Sequence, residues 1–156
     1  MTIQSDLSAM IVTPNDVVSA IYKKLQADAT LQGSTYLNST IAIDNWNPPI
    51  NAPKYRIVMT AETITSDDDT RFYRFAVTVD VRLENINRSR VPDSIRFDLI
   101  EKKCRALIDG YGSISLTNIR FEDCLYRHTS KITQSASTPE ESMQQIEFLI
   151  ACRYIV

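Results

Sequence analysis

Glycine is almost missing from this sequence: Gly33, Gly110 and Gly112 are the only three in 156 residues. Glycine-rich phosphate loops need several close backbone approaches, so loops of that kind are excluded. Histidine occurs once, at His128, beside Arg127 and Thr129. A triad or a histidine metal centre needs partners that these neighbours do not supply, so His128 is read as a strand-end surface residue. Cys104, Cys124 and Cys152 are odd in number and far apart, and each lies in an apolar neighbourhood. They are expected to be buried, reduced thiols acting as small hydrophobes. No Cys-x-x-Cys spacing points to structural zinc. A basic excess is also lacking: 17 Lys and Arg stand against 19 Asp and Glu, for a net charge of -2. That argues against a chain whose main work is gripping a phosphate backbone. There is no run of about 20 apolar residues that would form a membrane-spanning helix. The first residues, Met1 to Asp6, carry neither a basic segment nor an apolar one of the secretory kind, so a cytoplasmic origin is the expectation.

What is present is ordinary globular material. Hydrophobic residues make up 44% and charged residues 23%, enough for one core at this length. The expected organisation is a single domain over 1–156, with a tail at 1–12 and a long proline-rich loop at 32–54. The first helix starts clearly. Thr13 is the N-cap, Pro14 takes the first helical position and Asp16 the capping-box position. Val18, Ile21, Tyr22 and Leu25 then line one face, and the helix is expected to end near Ala29. Ile41-Ala42-Ile43 is a candidate short strand. Asn45 to Pro53 contains three prolines, which exclude helix. The lone Trp46 lies there, as a lid over the core or as an anchor for a partner.

From Lys54 the period changes to two. Tyr55, Ile57, Met59 and Ala61 share a face. Tyr73, Phe75, Val77, Val79, Val81 and Leu83 do the same in the next strand, opposite Arg74, Thr78, Asp80 and Arg82. A second helix follows Pro92 and Asp93, with Phe97, Ile100, Cys104 and Leu107 on one face, widened by Ile95, Leu99 and Ala106. Gly110 is the expected C-cap. Between Leu116 and His128 the alternation slips, and a bulge near Glu122-Asp123 restores a single apolar face. The last strand runs from about Met143 to the end, with Ile146, Phe148, Ile150 and Cys152 on one side. The predicted fold is α+β: a four-stranded, mainly antiparallel sheet with two helices on one face, in the order α-β-β-α-β-β.

Two polar connections, 63–70 and 130–141, are longer than a tight hairpin needs. They are read as hairpin arms ordered by contacts in an assembly, since ordering costs roughly 1–2 kcal/mol per residue. Asp67-Asp68-Asp69 lacks the alternation and the glycine of a calcium loop, so it is read as a solvated tip or, in an assembly, as a tip facing a partner or a lumen. The candidate interface residues are therefore Trp46, Asp67, Asp68, Asp69, Lys131, Thr133 and Gln134. No catalytic, cofactor-binding or metal-ligating residue is assigned, and the chain is expected not to be an enzyme.

The helix start Asp16 to Ile21, the strand Phe75 to Val81, the helix Ile95 to Ile108 and the terminal Gln145 to Ile150, in this order and with two long arms, resemble the tail-terminator proteins of long-tailed bacteriophages. These are close to the tail-completion and head–tail joining proteins. The resemblance implies a structural virion protein, assembled in the host cytoplasm as a homomeric ring, usually a hexamer. Such a ring caps the tail tube and meets the neck or head-completion protein. DNA passes through its lumen as cargo, no membrane is involved, and no cofactor is needed. The competing reading is an adaptor or connector of another phage neck, a baseplate or a contractile-tube machine.

Overall fold

The computed structural model describes residues 11–39, 42–44, 53–67, 69–110, 114–136 and 138–155. Helix α1 (Pro14–Gln26) starts where its cap predicts. The Asp16 carboxylate accepts the Thr13 N–H at 2.8 Å and the Thr13 hydroxyl at 3.0 Å, which satisfies a donor that the first turn leaves open. The helix ends at Gln26, short of the expected Ala29, and 28–39 turns compactly with Leu31 and Leu37 buried. The buried stripe of α1 is centred on Val17, Ile21 and Leu25, which leaves Tyr22 exposed at its rim rather than in the core.

Helix α2 (Ser94–Ile108) is capped by Asp93, whose carboxylate accepts the Arg96 N–H at 3.1 Å. It buries Phe97, Ile100, Cys104 and Ile108, while Leu107 packs only partly against the core. The stripe is narrower than its sequence implied. Ala106 is exposed and Ile95 is 75% exposed, Ile95 because at about 100° per residue it falls on the side of the helix opposite Phe97, Ile100, Cys104 and Ile108. Arg96 ties α2 to its surroundings: its guanidinium lies 4.1 Å from the Tyr55 ring and donates to the Ser34 carbonyl at 3.1 Å and to the Tyr36 carbonyl. At the other end Arg105 stacks 3.5 Å over Tyr126, and Lys103 pairs with Asp28 at 3.3 Å. Gly110, beyond the C-cap Asp109, takes a left-handed φ of +107° that favours glycine.

Among the described residues the sheet has six strands, not four. The path runs β1 (Ile43–Asp44), β2 (Tyr55–Asp67), β3 (Phe72–Glu84), β6 (Glu141–Tyr154), β4 (Ile119–Thr129), and β5 (Thr133–Gln134) pairs with the start of β6. The order along the chain is therefore α-β-β-β-α-β-β-β. The two extra strands have two residues each, too few to show a period of two in sequence. The β1–β2 pair is parallel and all others are antiparallel. Ile41, part of the expected short strand, lies outside the described residues.

Both long hairpins dock through β3 and β6, which pair from Phe72↔Arg153 to Glu84↔Glu141. Phe75, Val77, Val79, Phe148 and Ile150 are buried, as are Ile57, Met59, Ile146 and Cys152. They form one cluster with the helices on a single face of the sheet. The expected bulge is present, with Glu122 left over between Phe121 and Asp123. A second one leaves out Arg127.

The polar connections do not project as separate arms. In the first, the ladder continues through a bulge at Ile64 to Asp67↔Phe72, with 69–71 as the described part of the turn. Because β3 is paired to β6 along its whole length, this tip is carried on the sheet. The second connection also folds back: the Ser130 N–H donates to the Gln145 carbonyl, Thr133 pairs with Met143, and the Ser135 N–H donates to the Glu141 carbonyl. Polar side chains masked these strands, since backbone pairing needs no apolar residue.

Candidate assembly interface

At one end of the sheet is the β2–β3 tip. The Asp67 carboxylate accepts the N–H groups of Asp69 at 3.1 Å and Thr70 at 3.3 Å. These bonds, with the Thr70 hydroxyl, hold its carboxyl below the usual carboxylate range. Arg71 takes φ 57° to close the turn, and its carbonyl accepts the Tyr154 N–H at 3.1 Å. Asp67 and Asp69 are exposed. Asp68 and Trp46, the other two candidates of this kind, lie outside the described residues.

Lys131, Thr133 and Gln134 are exposed at the opposite end. Asp67 reaches β6 through Phe72 and Arg153, whereas Thr133 is aligned with Met143. These two positions on β6 are roughly 33 Å apart at ~3.3 Å per residue. The described candidates therefore form two groups, not one surface.

The second end has a feature that the sequence did not mark. Asn85 is buried and joins two loops: it donates to the Ser89 carbonyl at 2.8 Å and the Pro139 carbonyl at 3.2 Å, and accepts from the Ser142 hydroxyl at 2.5 Å. The Ile86 N–H donates to the Val91 carbonyl at 2.9 Å. Between them, Asn87 and Arg88 both adopt left-handed backbone, φ 53° and 58°. Ile86, Val91 and Ile95 are left in solvent beside the exposed Arg88 and Arg90. In the sequence this stretch reads as a short polar link. The only signal was two aliphatic residues, Ile86 and Val91, with no strand or helix to bury them.

The sheet face away from the helices carries mixed charge. Arg56 and Glu141 form a bidentate ion pair at 2.7 and 2.9 Å across β3. Asp80, beside them, pairs with Arg82 at 2.9 Å. Burial pushes the Asp80 carboxyl above its ordinary range, and the Arg82 bond only partly opposes this. A shallow depression of about 370 Å³ crosses the same face, lined by Thr60, Glu62, Thr78, Arg127 and Glu147 among others.

Burial pushes the thiols of Cys104 and Cys152 up to about 12, so both are protonated at neutral pH and are not nucleophiles. Cys124 is buried while His128 is exposed, so the geometry does not make them a catalytic pair. Among the described residues no three His, Cys, Asp or Glu side chains gather as metal ligands.

No protein-family model and no curated protein matches this chain. A solved structure does. The fold is similar to that of one chain in the structure titled "Virion of native gene transfer agent (GTA) particle". The TM-score is 0.66 over 88% of this chain and 94% of that one, at 14% sequence identity. At that identity the likeness is one of fold. It takes in most of both chains.

Proposed function

We propose that this chain is a structural component of a phage-like virion, and within it a tail terminator: a homomeric ring that caps the tail tube and joins it to the neck. The observation that carries the reading is the near end-to-end likeness of fold to a chain of a gene transfer agent virion. Two helices on a mainly antiparallel sheet with two long hairpins are consistent with it, although the two short strands depart from the order that the resemblance to tail terminators implies. The distribution of polar features fits as well. Hydrogen-bonded loops stand at both ends of the sheet, where a ring subunit meets neighbours above, below or beside it. A net charge of -2 suits a channel through which DNA slides, since a lumen that gripped phosphates would hold its cargo. On this reading the chain does no chemistry. Its partners are further copies of itself, the tail-tube protein and the neck protein, and its place is the virion.

The test is the native mass of the full chain, alone and with purified tail tubes. A closed ring that binds tube ends and stops their elongation is the expected result. A chain that stays monomeric at high concentration and leaves tubes uncapped overturns the terminator reading. A ring that binds another part of the particle instead moves the protein to a connector role.

A further inference from the structure

The Ile86–Ile95 surface is built, not incidental. Its loop is closed by the Ile86–Val91 backbone bond and held from beneath by Asn85. It keeps two non-glycine residues in left-handed conformations that cost free energy. What this presents is apolar: Ile86, Val91 and Ile95 are 45%, 57% and 75% exposed. Arg88 and Arg90 stand beside them, Arg88 held by Glu140 at 3.1 Å. Two exposed aliphatic side chains on a fixed loop, with a third on the first turn of α2, make an anchor for a partner.

The far end of the same molecule carries the complement. There β2 ends as an edge strand, with β1 covering only Ile57 and Val58 among the described residues. At its bulge Ile64 is 50% exposed. Glu62, Asp67 and Asp69 are exposed on the same hairpin, which also carries the exposed Arg74 aligned with Thr65. The two surfaces are separated by the length of β3, thirteen residues, or roughly 40 Å. They cannot meet within one subunit.

We infer that the occupant of the Ile86–Ile95 surface is a second copy of this chain, which seats the β2–β3 tip of one subunit, Ile64 with its acidic neighbours, on the basic apolar loop of the next. The contact is heterologous, head to tail, so each subunit uses both ends and the chain of contacts closes into a ring where the rotation permits. Matching basic to acidic ends also disfavours tip-to-tip pairing, which would oppose like charges. This inference rests on the ring reading and names its contact.

The test is charge exchange in the full chain, read by native mass and by sedimentation across a concentration series. Arg88→Glu with Arg90→Glu reverses the loop, and Asp67→Lys with Asp69→Lys reverses the tip. All four side chains are exposed, but Asp67 bonds its own turn and Arg88 pairs with Glu140, so a modest fall in melting temperature is expected, and a retained cooperative unfolding transition serves as the folding control. Either pair alone should raise the half-assembly concentration at least about tenfold. The four changes together should bring it back toward the native value. Val91→Ser with Ile95→Ser should weaken assembly without rescue by any charge change. Assembly by both reversed variants at the native concentration overturns the contact while leaving the ring intact. So does a fourfold variant no better than its parents. A native chain that never assembles overturns both the contact and the ring.

Discussion

Removing one partner of the Arg56–Glu141 pair should be among the most damaging surface-face changes in this protein. Both side chains are only 14% exposed, and two hydrogen bonds of 2.7 and 2.9 Å join them. They connect β2 to β6 over the top of β3, so the pair staples strands that do not touch. Arg56→Ala leaves the Glu141 carboxylate in a half-dry site without its cation. Breaking a buried pair in this way costs about 3–5 kcal/mol. The remaining solvent exposure puts the expectation near the lower end, about 3 kcal/mol. For a domain of this size that is a fall in melting temperature of roughly 6–12 °C. Glu141→Gln keeps the shape and some hydrogen bonding and should cost less, while Arg56→Met with Glu141→Leu should recover most of the loss by removing both charges. Urea unfolding of the four proteins gives the values, with unchanged slopes confirming that the states compared are the same. A second readout is local. Arg56 lowers the Asp80 carboxyl and Glu141 raises it, so Arg56→Ala should move Asp80 up and Glu141→Gln should move it down, as followed by carboxyl NMR. If Arg56→Ala costs under about 0.5 kcal/mol, as solvated surface pairs do, the staple does not exist in solution.

Phe148 lies at the centre of the core, and Phe148→Ala should cost about 3–5 kcal/mol in the same unfolding assay. Asn85→Ala should cost about 1–3 kcal/mol, because it strands the Ser142 hydroxyl and two carbonyls, and it should raise hydrogen exchange at 86–91 specifically. The raised Asp80 carboxyl means that the folded chain binds a proton that the unfolded chain has released, so stability should fall as pH rises from 3.8 through the folded value. Asp80→Asn should remove that component, and a pH profile identical to the native one would contradict it. The cysteines should be silent to a thiol reagent at pH 8 in the folded protein and all three reactive in denaturant. A disulfide in the mass would contradict the buried, reduced state.

The residues whose neighbours in sequence are also their neighbours in space were the legible ones. The cap Thr13-Pro14-Asp16 sets the start of α1, and the alternation of Tyr73 to Leu83 sets which face of β3 is dry. The slip around Glu122 announced its bulge. Each is a local matter of donor satisfaction or of a period of two. Tertiary structure alone decided the rest. The strands β1 and β5 exist because a partner strand offers backbone groups, and two residues carry no pattern of their own. Ile95 reads as part of an apolar stripe, yet it is exposed because the sheet meets the opposite side of α2, the one that carries Phe97, Ile100, Cys104 and Ile108. The two groups of polar candidate residues look like equivalent arms in sequence, and only the pairing of β3 with β6 sets them at opposite ends. The same pairing brings Arg56 to Glu141, 85 positions apart in the chain, and Asn85 to Ser142. Composition and period report which side of an element is buried. Which elements lie side by side depends on registers between distant strands, and those are set only when the whole core closes.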